Sequence, residues 1–89
     1  MEVEFDRAKN QRNLRERGLS FERAADFDFE TAIYLEDRRH EYGERRIRAL
    51  GNIEGHLYAL VYTIRGERLR VISLRRANRR EVRSYEEAT

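Results

Sequence analysis

The sequence predicts a small α+β domain with the order β-α-α-β-β-β-β-α. Three observations carry that reading. The chain has 89 residues, of which 39% are hydrophobic. A chain of that size buries about 60–65% of the surface its unfolded form exposes, which suits one sheet covered by a few helices. Its apolar pattern is helical before residue 31 and has period two from there to residue 74. The alternating stretches follow one another through short connections, which implies hairpin-linked strands and an antiparallel meander.

Each element has local grounds. Val3-Glu4-Phe5 alternates and reads as a first strand. Asp6 can cap a helix running to Arg17, with Gly18 as its stop. That helix has few apolar residues, Ala8 and Leu14, and belongs on the surface. Ser20 caps a second, shorter helix that turns Phe21, Ala24, Ala25 and Phe27 inward. Thr31 to Glu36 reads as a strand, and Asp37 to Glu44 as a polar connection. Arg45 to Leu50 alternates, with Arg46, Arg48 and Leu50 on one face and Ile47 and Ala49 on the other. Gly51 to Gly55 reads as a turn, and His56 to Ile64, the most hydrophobic segment, as a central strand. Arg65-Gly66-Glu67 is a hairpin turn into a strand over Arg68 to Leu74. Simple alternation sets Leu69, Val71 and Ser73 against Arg70, Ile72 and Leu74, and places Arg70 and Arg75 on opposite faces. Asn78 with Glu81 three residues on predicts a capped final helix. All of this fits one domain over residues 1–89.

The same arithmetic excludes several classes. The chain is too short for a Rossmann or TIM-barrel fold, or for a two-domain enzyme with a deep cleft. It contains no cysteine, so disulfides and thiolate metal sites are absent. The longest apolar run, Leu57–Ile64, is too short to span a bilayer. The acidic start Met1-Glu2-Val3-Glu4 is unlike a signal peptide, so a cytoplasmic protein is expected. His40 and His56 lack metal-ligand spacing, and no metal or cofactor is expected.

Charge is more informative. Of 19 Lys and Arg residues, 18 are arginine, whose planar guanidinium matches phosphate oxygens two at a time. Residues 1–64 hold 11 basic and 13 acidic side chains, whereas residues 65–89 hold 8 and 4. A basic tail on a near-neutral body is a footprint of phosphate contact. Arg75, Arg76, Arg79 and Arg80 gather where the last strand meets the last helix. A helix start attracts anions, and clustered arginines there oppose its dipole. A bound phosphate would relieve that cost, and so would ordinary ion pairs to Glu81, Glu86 and Glu87.

Tyr34, Tyr42, Tyr58, Tyr62 and Tyr85 are interleaved with the charge and offer rings for base stacking. The plain structural reading puts Tyr58 and Tyr62 in the core and has Tyr85 pack the last helix onto the sheet. His40 stands in a polar loop beside Glu41 and Glu44 and is a candidate proton carrier or an exposed loop residue. The acidic stretch from Asp26 to Asp37 has five carboxylates and no basic residue, so it repels phosphate or pairs with a basic partner or with this chain's own arginines. RNA cleavage is one chemistry this composition supports. The 2′-hydroxyl supplies the nucleophile, and the protein must hold the phosphate, stabilise charge and move protons.

Three blocks of residues resemble one family. The first is Phe5-Asp6, Lys9, Asn13 and Gly18-Leu19-Ser20-Phe21-Glu22 with Ala24; the second is Tyr42-Gly43-Glu44 with Arg46, leading to Gly51. The third is Tyr62-Thr63, Arg65-Gly66, Arg70-Val71-Ile72-Ser73, Arg75-Arg76-Ala77, Arg79, Glu81 and Tyr85. Together they resemble the BrnT family, the toxin half of a type II toxin–antitoxin pair. The resemblance implies a RelE-like ribonuclease fold that inhibits translation by cutting RNA, and the 2′-hydroxyl chemistry above requires no metal for it. It implies a cognate antitoxin like BrnA, with a DNA-binding ribbon-helix-helix region, a toxin–antitoxin heterotetramer and repression of their own operon through operator DNA.

Carried over by position, the residues implied for catalysis are Arg65, Arg75, Arg76 and Arg79. His40, Glu44, Arg46 and Tyr62 are candidates for proton transfer or orientation, and Arg17, Arg70, Arg80 and Arg83 for RNA binding. The family shows Lys-His-Gly at the end of the first helix, where this chain has Glu16-Arg17-Gly18. The other readings are a non-catalytic module that binds nucleic acid or a partner, and an inactive toxin relative acting as co-repressor.

Overall fold

The computed structural model describes residues 2–37 and 43–89; His40 and Tyr42 lie outside them. The first strand, β1, spans Glu2–Phe5. Asp6 then caps the helix α1, Arg7–Arg17, its carboxylate accepting from the Lys9 amide, and Gly18 ends it at φ 64°. No residue of α1 is buried. Ser20 caps not an α-helix but a six-residue 3-10 helix, Phe21–Asp26. With three residues per turn, Phe21 and Ala24 share the buried side and Ala25 points to solvent.

Four strands follow: β2 Ile33–Asp37, β3 Arg46–Ile53, β4 His56–Arg65 and β5 Arg68–Arg76. The helix α2, Arg79–Ala88, closes the chain with the expected capping box between Asn78 and Glu81. The sheet order is β1-β5-β4-β3-β2. From β2 to β5 the sheet is the predicted antiparallel meander, but β1 joins β5 in parallel, so the sheet is mixed. The cause is burial. Val3 and Phe5 align with Leu69 and Val71 and join the same apolar layer, and the path through α1 crosses to the far edge before β2 begins.

Two further expectations are corrected. Gly51 to Ile53 is strand rather than turn, and the turn is Glu54-Gly55, both at positive φ. Glycine stands at position 51 because the Phe27 ring lies on it; a Cβ there would come within 2.5 Å of that ring. The second correction concerns β5. Val61 pairs with Ser73 but Tyr62 pairs with Val71, so Ile72 is an extra, bulged residue. The bulge returns Arg70, paired with Thr63, and Arg75, paired with Ala59, to the same face. Leu74 takes the buried side with Leu69 and Val71.

The core lies between this buried side of the sheet and the 3-10 helix. Its centre is Leu60 and Leu74, both 0% exposed, with Phe21, Phe27, Ala49 and Ile53 around them. Each fully buried leucine contributes about 2 kcal/mol of apolar transfer. Beyond Phe5 no described strand neighbours the edge of β5. Asn13 of α1 takes its place, donating to the Leu74 carbonyl at 3.1 Å and to the Leu19 carbonyl at 3.0 Å. Asn10 accepts from the Phe21 amide at 2.7 Å. These two asparagines seat α1 where apolar burial does not. Among the described residues, no helix is long and apolar enough to cross a membrane.

Candidate functional site

The open face of the sheet carries arginines clamped by glutamates. Glu44 meets Arg65 at 3.4 Å and Arg46 at 3.8 Å. Glu4 on β1 meets Arg70 at 3.2 Å, a pairing set by the parallel register of the two strands. Arg75 grips Glu81 through both terminal nitrogens, at 2.7 and 2.8 Å. Glu81 also accepts from the Asn78 amide at 2.9 Å. The anion at the start of α2 is thus the chain's own carboxylate, as the ion-pair reading expected of Glu81, whereas Glu86 and Glu87 form no ion pair with a described residue. The Arg75 contact, above the other causes, pulls the Glu81 pKa below the ordinary carboxylate value.

On the other side, a cavity of about 450 Å³ opens where α1 ends beside β4 and β5, lined by Arg17, Gly18, Leu19, Arg23, Tyr58, Arg75 and Arg76. Arg76 faces away from Arg75, because neighbouring strand residues alternate. Its guanidinium lies over the Tyr58 ring, 5.6 Å from the centroid, and its Nη2 is 3.3 Å from His56 Nδ1. Tyr58 and Arg76 are ladder partners, and His56 sits two residues before Tyr58 on the same face. Arg23 is held by Asp26 at 3.4 Å and Glu54 at 3.5 Å. Arg17 and Arg76 form no ion pair with any described residue. A second cleft, lined by Lys9, Arg12, Asn13, Arg17 and Ser73 among others, runs along α1 and shares Arg17 with the first.

The sequence candidates therefore separate. Arg76 and Arg17 meet at the cavity, with Arg75 at its rim. Arg65 pairs near the opposite end of β4, six residues from the partner of Arg75, or about 20 Å along the strand. Arg79, Arg80 and Arg83 lie exposed on α2. Tyr62 is 7% exposed and packs its ring on Phe29 at 6.0 Å. Burial pushes its phenol pKa up, and the residue takes the core place that the plain structural reading gave it. Tyr85 donates to the Thr31 carbonyl at 3.0 Å and accepts from Asn52 at 3.4 Å, which ties α2 to the sheet as expected. In the acidic stretch, Asp26 pairs with Arg23 and Asp28 accepts from the Thr31 hydroxyl at 2.7 Å.

Sequence reasoning missed His56. Its placement follows from the Glu54-Gly55 turn and the β4–β5 register, and the signal available was period two, which sets His56 and Tyr58 on one face.

A family model described as the ribonuclease toxin BrnT of type II toxin–antitoxin systems matches residues 5–81. No curated protein matches the chain.

Proposed function

The chain belongs to the BrnT family of ribonuclease toxins of type II toxin–antitoxin systems, and from that premise we propose that its cavity binds the scissile phosphate of RNA. The observation that carries this reading is the pair of arginines there, Arg17 and Arg76, neither spent on a described carboxylate. Arg76 is held by the Tyr58 ring beneath it. A donor fixed in advance loses little freedom when charge develops on the phosphate, which is where such a group lowers the barrier.

Cleavage runs through the RNA 2′-hydroxyl and needs no metal ion. Arg75 lines the rim, and Lys9 and Arg12 in the neighbouring cleft carry the adjoining backbone. Arg65, Arg70, Arg79, Arg80 and Arg83 contact phosphates farther along the strand, and Glu44 with Arg46 orients Arg65. The fold is RelE-like over one domain. The antitoxin resembles BrnA, uses a ribbon-helix-helix region, forms a heterotetramer with this chain and represses their operon with it. It neutralises the toxin by covering the arginine-rich surface from Arg65 to Arg80.

The test is induced expression of the wild type and of Arg76→Ala in a bacterial host lacking the antitoxin gene. Growth arrest with RNA decay in the wild type, lost in Arg76→Ala at equal soluble level, is the expected result. Normal growth and intact RNA in both would favour the binding-module or co-repressor reading.

A further inference from the structure

We propose that His56 is the proton acceptor of this site, its Nδ1 taking the proton of the attacking 2′-hydroxyl. The inference rests on the phosphate reading above and supplies the proton transfer which that reading leaves open.

The arginines of the cavity cannot act as the base, because guanidinium stays protonated. The carboxylates that contact the other cavity arginines are committed to them. Asp26 and Glu54 hold Arg23. Glu81 is bound by both terminal nitrogens of Arg75 and by the Asn78 amide, and its lowered pKa makes it a weak base. His56 is left, exposed at the first residue of β4. Imidazole is the side chain that ordinarily changes charge near neutral pH.

The geometry assigns the nitrogen. Arg76 Nη2 lies 3.3 Å from His56 Nδ1. An arginine can only donate, so Nδ1 accepts and carries no proton. The lone pair of Nδ1 points at the guanidinium that binds the phosphate. When Arg76 turns its N–H groups to the phosphate oxygens, Nδ1 is released beside the same phosphate.

Nδ1 then removes the 2′-hydroxyl proton, and the 2′-oxygen forms a bond to phosphorus. The bond from phosphorus to the 5′-oxygen breaks, and that oxygen leaves with the electron pair and takes a proton from water. The imidazolium returns its proton to the hydroxide so formed. The products are a 2′,3′-cyclic phosphate and a 5′-hydroxyl, and no water is consumed.

The test uses the purified full chain, a labelled RNA and four proteins: wild type, Arg76→Ala, His56→Ala and His56→Gln. Glutamine keeps an acceptor for Arg76 but cannot take a proton at neutral pH. Both His56 variants are expected to cleave about 100-fold more slowly, with RNA affinity within about twofold of wild type. Added imidazole is expected to restore part of the His56→Ala rate, and the wild-type product to end in a cyclic phosphate. Recovery of the wild-type rate by His56→Gln would make His56 a positioning residue for Arg76 and overturn the proposal. Wild-type rates in both His56 variants, with Arg76→Ala slow, would overturn it while leaving the phosphate reading intact. An Arg76→Ala protein as fast as wild type would overturn the phosphate reading instead.

Discussion

On the open sheet face Glu44 serves Arg46 and Arg65, Glu4 serves Arg70, and Glu81 serves Arg75. At the cavity, Arg17 and Arg76 meet no described carboxylate. Both regions are rich in arginine, yet on the sheet face Arg46, Arg65, Arg70 and Arg75 are each held by a glutamate, whereas Arg17 and Arg76 line a concave site without one. The difference teaches that an arginine count along the sequence measures potential rather than availability. A clamped guanidinium must give up its glutamate before it can take a phosphate, so its net gain from RNA is small. An arginine with no carboxylate to surrender keeps more of that contact.

The largest expected effect comes from reversing this distinction by mutation. Arg76→Ala is expected to lower single-turnover cleavage by about 100- to 1,000-fold, the range for removing one preorganised donor. Arg70→Ala, on the open face, is expected to lower it by less than about fivefold. Next comes the sheet that supports the cavity. Gly51, paired with Tyr58, carries the Phe27 ring. Gly51→Ala forces that ring away and is expected to cost about 2 kcal/mol in urea unfolding.

Glu81→Gln sharpens the open-face side of the comparison. It weakens the grip on Arg75 and the box at Asn78, with an expected loss of about 1–2 kcal/mol near neutral pH. The sign of the pH dependence is fixed. The folded pKa of Glu81 lies below its ordinary 4.5, so its stabilisation is present above that value and disappears as pH falls through the folded one. The gap between wild type and Glu81→Gln in unfolding midpoint should therefore narrow on acidification.

Smaller still is Glu44→Gln, which frees Arg46 and Arg65 from a shared charge. RNA binding should tighten at low salt, and the salt slope should steepen by about one. The smallest effect belongs to Arg68→Ala. Arg68 and Glu2 are 61% and 77% exposed at 3.4 Å, and their loss should cost less than about 0.5 kcal/mol.

Much of the fold was legible because its signals are local. Asp6, Gly18, Ser20 and the Asn78–Glu81 box each act within one turn of a helix, and each caps where the residue pattern placed it. Period two found all four later strands. What escaped depends on distant partners. The parallel pairing of β1 is decided by Leu69 and Val71, more than sixty residues away. The Ile72 bulge is decided by which residues β4 offers, and it alone puts Arg70 and Arg75 on one face. Gly51 looked like a turn because its true neighbour, Phe27, comes from another element.

The site was legible in kind but not in grouping. Charge counts found the arginine segment, and Arg17 and Arg76 were both named. Nothing in the sequence separates a clamped arginine from an unclamped one, since that depends on where each glutamate falls across the sheet.

The most direct measurement is a comparison of cleavage rate and RNA affinity for Arg76→Ala and Arg70→Ala against wild type on one RNA. The account predicts that Arg76→Ala loses far more rate than affinity, because the contact strengthens in the transition state, while Arg70→Ala stays close to wild type in both. A protein that keeps its rate without Arg76 and loses it without Arg70 would contradict the account and move the site to the open face.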